Sequence, residues 1–284
     1  MTVCSDPDLF PSASRAARHR SDHHSKLLRL SEEVTRAVAD LLALVVPVDC
    51  VCCGAEDRAL CNACERHIRR LTRQPFRAES GAPALMDIRG PVLLPVAAAG
   101  VYREELAQAL LSFKRHGQHQ LKNSLGRALA GAVRAAVGDG QATLLVPVPT
   151  SSAAYVSRGF SPVHLLLAEA SRQLPSVGVA NVLVKTGNAG LRLPGGQKGL
   201  DRGARAKRVR GSMAVRCRDR ARVAGHRCII IDDVLTTGAT LAEAARALHH
   251  ADAIVTGAVV LAATRPPDAA GAAAASPVDQ RKQA

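Results

Sequence analysis

The run Cys228-Ile-Ile-Ile-Asp-Asp-Val-Leu-Thr-Thr-Gly-Ala-Thr240 constrains this chain more than any other stretch of it. Its four leading apolar residues suit a parallel strand covered on both faces. Two adjacent carboxylates and a polar turn follow, and Leu-Ala-Glu-Ala-Ala-Arg-Ala-Leu then reads as a helix. In open α/β sheets, ligands bind outside the carboxyl ends of the strands. A turn that opens a helix presents free backbone N–H groups to an anion, and Gly238 lets the backbone come close to it. The hydroxyls of Thr236, Thr237 and Thr240 add donors. Asp232 and Asp233 would repel a phosphate, so accepting hydrogen bonds from sugar hydroxyls suits them better. Asp at strand ends and Thr at helix starts are each common without any ligand. The full run is specific in a way that its parts are not.

The surrounding pattern agrees with this unit. Thr143–Val148 reads as a buried strand, Phe160–Leu174 as a helix and Val179–Lys185 as a strand. Met213–Arg216 reads as a short strand, Thr240–His250 as a helix and Ala253–Ala262 as a strand. Such alternation argues for a parallel sheet with right-handed crossovers. Further upstream, 95–102 suits a strand, 103–113 a helix and 121–137 a second helix, with polar Lys114–Gln120 interrupting them. Residues 186–210 have no apolar rhythm and read as a long loop. Residues 1–25 and 266–284 read as disordered tails. Residues 26–46 read as an amphipathic helix stopped by Pro47. The expected division is therefore 1–25 tail, 26–75 helix plus cysteine element, 76–265 α/β domain and 266–284 tail.

Five of the eight cysteines lie within residues 50–64. Cys50-x-x-Cys53 and Cys61-x-x-Cys64 form two knuckles, and four thiolates satisfy tetrahedral Zn²⁺ with no open position. A redox CxxC would need only one pair; unpaired core thiols are the other alternative. Cys52 reads as a bystander and His67 as a surface residue. Zinc loss is expected to unfold this small element. No apolar leader is visible, and Val38–Val48 is too short to span a bilayer and contains Asp40. The expectation is a cytoplasmic protein without stable membrane insertion.

Joined in this order, the two sites resemble a known family. The 228–240 run is similar to the signature of type I phosphoribosyltransferases that binds 5-phosphoribosyl pyrophosphate (PRPP). Together with the cysteine knuckles it resembles the ComF family of competence-related, phosphoribosyltransferase-like proteins. Leu110-Leu-Ser-Phe-Lys-Arg-His-Gly117, Val146-Pro-Val-Pro149, Arg158-Gly-Phe160 and Gln197-Lys-Gly-Leu-Asp-Arg202 with Arg205 extend the resemblance over roughly residues 35–264. It implies a type I phosphoribosyltransferase-like parallel sheet flanked by helices, with a small N-terminal zinc-ribbon-like element. It implies that Asp232 and Asp233 are the catalytic pair on the ribose hydroxyls. Leu235, Thr236, Thr237, Gly238, Ala239 and Thr240 would take the 5′-phosphate, with Mg²⁺ bridging pyrophosphate and sugar. Lys114, Arg158, Gln197, Arg202 and Arg205 become candidates for the pyrophosphate. The chain departs from the family at Thr150–Ser157, which carries no cation, and at Ser161-Pro162, where Asn-Gln is common.

Two functions fit. One is transfer of a 5-phosphoribosyl group from PRPP to a nitrogenous acceptor, by positioning and charge stabilisation. The other is a non-catalytic accessory protein of DNA uptake that binds single-stranded DNA and uses PRPP or a related nucleotide for regulation. A formal net charge of +14 and ten Lys or Arg within residues 198–222 favour polyanions in either case. Aromatic residues make up only 2%, so base stacking has few platforms and the core must be aliphatic.

Overall fold

Short apolar runs alternating with amphipathic segments build a mostly parallel sheet between two helical layers. The computed structural model describes residues 49–56, 58–87, 92–116, 119–137, 142–186 and 211–264. In chain order its elements are α1 (Asn62–Leu71), β1 (Phe76–Arg77), β2 (Val96–Val101), α2 (Glu104–His116), α3 (His119–Ala136) and β3 (Thr143–Pro147). There follow α4 (Ser152–Arg158), α5 (Pro162–Ser171), β4 (Gly178–Val179), β5 (Leu183–Lys185), β6 (Met213–Val215), β7 (Arg227–Leu235), α6 (Ala239–His249) and β8 (Ile254–Ala263). Two 3-10 turns, Glu79–Gly81 and Pro83–Leu85, precede β2. The expected helix at 26–46 and both tails lie outside the described residues, as do Gln197, Arg202 and Arg205.

Six strands form one sheet in the order β1-β2-β8-β7-β3-β4, and β5 and β6 form a separate pair. Every pairing in the main sheet is parallel except β1 with β2. β7 lies at its centre because it is apolar on both faces. Cys228 and Ile230 face a layer made by α6 and the 3-10 turns, with Leu85, Leu241 and Leu248. Ile229 and Ile231 face α3 and α5, with Leu125, Leu129, Leu166 and Leu167. The period of two along a strand sends neighbours to opposite layers. Burying each such side chain contributes roughly 1.5–3 kcal/mol. The edge strands β1 and β4 are two residues long, which limits edge pairing.

Three expectations are corrected and one segment is added. Val179–Lys185 is not one strand. Ala180 N–H still donates to Leu145 O at 2.9 Å, but Val182 N–H turns back to Ala180 O at 3.0 Å. The chain leaves the sheet there, and β5 pairs antiparallel with β6. Thr150–Ser157, which the sequence marks only by its lack of cations, is mostly helix: the Ser151 hydroxyl caps α4 by accepting from Ala154 N–H at 3.3 Å, and Gly159 (φ 74) ends it. Lys114 belongs to α2, which runs to His116, and α3 begins at His119. Finally, β7 does not stop at Ile231 but carries both aspartates inside it, paired to β8 as far as Leu235.

The cysteine element has more support than its size suggested. Ile68 of α1 is 1% exposed and packs into the α2–α3 layer. Glu65 of α1 accepts from Ser124 Oγ (2.9 Å) and Arg127 (2.8 Å) of α3.

Candidate functional site

The two neighbours of β7 end at different heights, and this difference creates the site. The ladder with β3 closes with Val148 N–H donating to Ile231 O at 2.9 Å, whereas β8 stays paired through Leu235. From Asp232 onward the β3 side of β7 is open. A pocket of about 510 Å³ fills that opening, lined by Asp232, Asp233, Thr236 and Thr240 with Pro149, Thr150, Ser151 and Arg158. Tyr102, Lys114, Lys185 and Thr264 complete its wall.

The turn after β7 is shaped for close approach. Gly238 has φ +80, a left-handed conformation that L side chains disfavour. A Cβ there would lie 2.5 Å from Cγ of Leu85, a residue 1% exposed. Ala84 N–H donates to Thr237 O at 3.1 Å, so the 83–85 turn buttresses the loop from behind. Gly238 is the N-cap of α6 and supplies no side-chain acceptor, so the first N–H groups of the helix have no cap from it. Thr236 and Thr237 are exposed. Leu235 is buried in the core and its carbonyl accepts from Thr264 N–H at 3.0 Å, so it shapes the loop through packing and backbone.

The carboxylates differ in their surroundings. Asp233 pairs with Lys114 Nζ at 2.9 Å, and its N–H donates to Asp232 Oδ1 at 2.8 Å. Burial, and next the charge of Asp233, push the Asp232 carboxyl up to about 7, against Lys114 and Lys185, which pull it down. Burial also lowers the ammonium pKa of Lys185, with Asp232 opposing. Two vicinal carboxylates of this kind offer the oxygen ligands that a hard divalent cation such as Mg²⁺ takes.

Of the candidates predicted from sequence, Asp232, Asp233, Thr236, Thr240, Lys114 and Arg158 meet at this pocket. Arg158 is held there by its Nε, which donates to Ala154 O at 3.0 Å. Lys185 escaped the sequence reading. Its only signal was a lone cation ending a three-residue strand, and the departure of the chain from the sheet was not visible. Tyr102 and Thr264 likewise reach the pocket because β2 and β8 are neighbours, a pairing between residues distant in sequence.

The Sγ atoms of Cys50, Cys53, Cys61 and Cys64 all lie within 4.8 Å of one another. Cys53 and Cys61 sulfurs are 3.6 Å apart, near the roughly 3.8 Å edge of a tetrahedron with ~2.3 Å Zn–S bonds. Gly54 (φ +73) allows the first knuckle to turn. Cys61 N–H donates to Cys50 Sγ at 3.4 Å and Cys64 N–H to Cys61 Sγ at 3.5 Å, the arrangement that supports thiolates. Burial raises the Cys50 thiol, but N–H groups of Cys61, Cys52 and Cys53 outweigh it and bring it down to about 6. Burial pushes bystander Cys52 up to about 12. The four residues therefore fit a structural metal ion. His67 stands apart, 3.3 Å from Glu104 and 3.5 Å from Glu105.

A mostly parallel sheet flanked by helices, with a pocket at the open carboxyl end of its central strand, matches the type I phosphoribosyltransferase fold. Residues 162–278 match the family model of the phosphoribosyl transferase domain. Two solved structures are similar to the chain. The allosteric regulatory enzyme of purine biosynthesis is 21% identical, with a TM-score of 0.30 over 52% of this chain and 26% of that one. Glutamine phosphoribosylpyrophosphate (PRPP) amidotransferase from B. subtilis, complexed with ADP and GMP, is 19% identical, with a TM-score of 0.29 over 52% of this chain and 27% of that one. The chain thus spans under a third of either protein. No curated protein sequence matches it. No helix among the described residues is long and apolar enough to cross a membrane.

Proposed function

We propose that the chain binds PRPP in the Asp232 pocket and transfers its 5-phosphoribosyl group to a nitrogenous acceptor. One observation carries the reading: Asp232 and Asp233 stand together where the β3 side of β7 is open, beside the turn that starts α6. The carboxylates accept hydrogen bonds from the ribose hydroxyls. The 236–240 turn wraps the 5′-phosphate with backbone N–H groups and Thr hydroxyls. Lys114 and Arg158 balance the charge of the pyrophosphate, joined by Gln197, Arg202 and Arg205 on the ComF resemblance. Mg²⁺ supplies charge neutralisation between pyrophosphate and the carboxylate pair when bound. Zn²⁺ is the ion assigned to the Cys50–Cys53–Cys61–Cys64 cluster, in keeping with a ComF-like protein. Calorimetric titration with PRPP and Mg²⁺ tests the binding step: Asp232→Asn with Asp233→Asn should abolish the heat, and an unchanged isotherm overturns the site. Pyrophosphate release across a panel of nitrogenous acceptors tests the transfer step.

A formal net charge of +14 favours a second reading, single-stranded DNA binding in a competence role. A salt titration of single-stranded DNA distinguishes it. An affinity that falls with salt and survives the double Asn variant supports a separate nucleic-acid site, and no binding at low salt removes it.

A further inference from the structure

Three polar side chains form a continuous file out of the pocket. Thr150 Oγ1 and Ser161 Oγ are 2.7 Å apart, and Ser161 Oγ lies 2.7 Å from His164 Nδ1. Thr150 lines the Asp232 pocket. It also lines a neighbouring cleft of about 670 Å³, as do Ser161 and His164. The file thus connects a half-buried imidazole to the wall of the sugar-phosphate pocket.

Ser161 sits at the N-cap of α5, where its hydroxyl would ordinarily accept a helix N–H, yet it makes no such bond. A serine cap contributes typically ~1 kcal/mol. Here the hydroxyl is turned instead toward Thr150 and His164. Its partner Thr150 opens the Thr150–Ser157 segment, which carries no cation.

Each hydroxyl has one proton, so the file has a direction. With His164 neutral and its proton on Nε2, Nδ1 is bare, Ser161 donates to it, and Thr150 spends its own proton on Ser161. With His164 protonated, Nδ1–H donates to Ser161, Ser161 donates to Thr150, and the Thr150 O–H is released to point into the pocket. We propose that His164 and Ser161 are positioning residues that act through Thr150, delivering a hydroxyl donor to the pyrophosphate-type anion in the pocket when His164 is protonated. This rests on reading the Asp232 pocket as a sugar-phosphate site. The file takes the place of the missing cation: it presents a donor while an anion is bound.

The groups facing His164 fit this role. The cleft brings Tyr155 from α4, Lys185 from β5 and Arg216 from the end of β6, and no carboxylate among the described lining residues. Where α3 meets α5, Glu169 pairs with Arg172 at 2.8 Å and Arg134 donates to Gln173 at 3.4 Å. Asp232 and Asp233 lie beyond Thr150 in the pocket itself. With cations on its own side, the imidazolium is favoured by an anion placed at the far end of the file. Anion binding and His164 protonation are therefore linked, each strengthening the other by the same factor.

Inorganic pyrophosphate with Mg²⁺ is the probe, because it lacks the sugar that Asp232 and Asp233 would recognise. Its affinity is measured at pH 8 and pH 6 for the wild type, Ser161→Ala, Ser161→Thr and His164→Gln. Protonation of the probe is common to all and cancels in the comparison. A charge-assisted hydrogen bond predicts that the wild type gains about tenfold more between the two pH values than Ser161→Ala. Ser161→Thr, which keeps the hydroxyl, retains most of that gain, and His164→Gln loses it. By reciprocity, the His164 imidazole resonance titrates about one pH unit higher with pyrophosphate bound, and Ser161→Ala removes that shift. Parallel pH dependences in wild type and Ser161→Ala, or an unmoved His164 titration, overturn the proposal. Absence of pyrophosphate binding at both pH values overturns it too. Pyrophosphate binding with the linkage but without PRPP binding would instead remove the sugar reading and leave the file intact.

Discussion

Replacing Gly238 by Ala joins two penalties at one atom. The backbone there has φ +80, and a non-glycine residue in the left-handed region costs roughly 1–2 kcal/mol. The new Cβ would lie 2.5 Å from Leu85 Cγ. Leu85 has little freedom to yield, because it is 1% exposed and packs from the 83–85 turn into the core beside Leu241 and Leu248 of α6. Overpacking of this kind adds about 1–3 kcal/mol. The sum, about 2–5 kcal/mol, is a large part of the roughly 5–15 kcal/mol by which a domain is stable. Urea unfolding of Gly238→Ala, Leu85→Ala and the double variant separates the two penalties. Leu85→Ala alone should cost about 2–5 kcal/mol through its cavity. In the double variant the added methyl enters that cavity, so the two losses should fall short of their sum by at least ~1 kcal/mol. Strict additivity would refute the steric argument and leave only the backbone penalty. The same variant should weaken PRPP binding, because relieving the clash moves the 236–240 turn.

Asp232 makes a prediction about pH. Its folded pKa, about 7, stands above the ordinary 3.8, so the folded state binds the proton more tightly over that interval. Its contribution to stability is full below the ordinary value and is lost as pH rises toward 7. Asp232→Asn, a neutral stand-in, should flatten the urea midpoint between pH 4 and 7 and leave the ligand-free protein more stable than wild type at pH 8. Glu243 has the opposite sign: burial opposes its charge, but Arg246 and the Met213 N–H outweigh burial and hold its pKa below 4.5. Glu243→Ala should cost about 3–5 kcal/mol by stranding Arg246 and the β6 backbone, and wild-type stability should fall as acid protonates Glu243. Chelation of metal from the purified protein should render Cys50, Cys53, Cys61 and Cys64 reactive to a thiol reagent together. An unchanged thiol titration would argue against a resident ion.

The α/β architecture was legible because β7 and β8 are continuous apolar runs whose neighbours must face opposite layers. The acidic pair and the turn were legible because their chemistry is contiguous in sequence. What stayed hidden depends on contacts between distant segments. Val179–Lys185 reads as one strand because Val, Leu and Val satisfy a strand pattern in either sheet; only the turn at Ala180–Val182 sends the second half elsewhere. The helix within Thr150–Ser157 gave no sequence signal because it is two turns long and buries none of its residues. Ser161 looked like a departure from a familiar motif, and its partners Thr150 and His164 could not be paired from spacing alone.

Lys114 lies near the C-terminal end of α2, and its ammonium already occupies Asp233 in the ligand-free pocket. A ligand that takes the carboxylates must therefore displace a tenant, and the tenant is fixed to a helix. At the other end of that helix, about 15 Å away by helical rise, Glu104 and Glu105 lie against His67 of α1, the helix that begins at the second cysteine knuckle. α2 is thus a rod clasped at both ends, by the pocket and by the cysteine element. One helix thus carries contacts to both the acidic pair of β7 and the helix that follows the second cysteine knuckle.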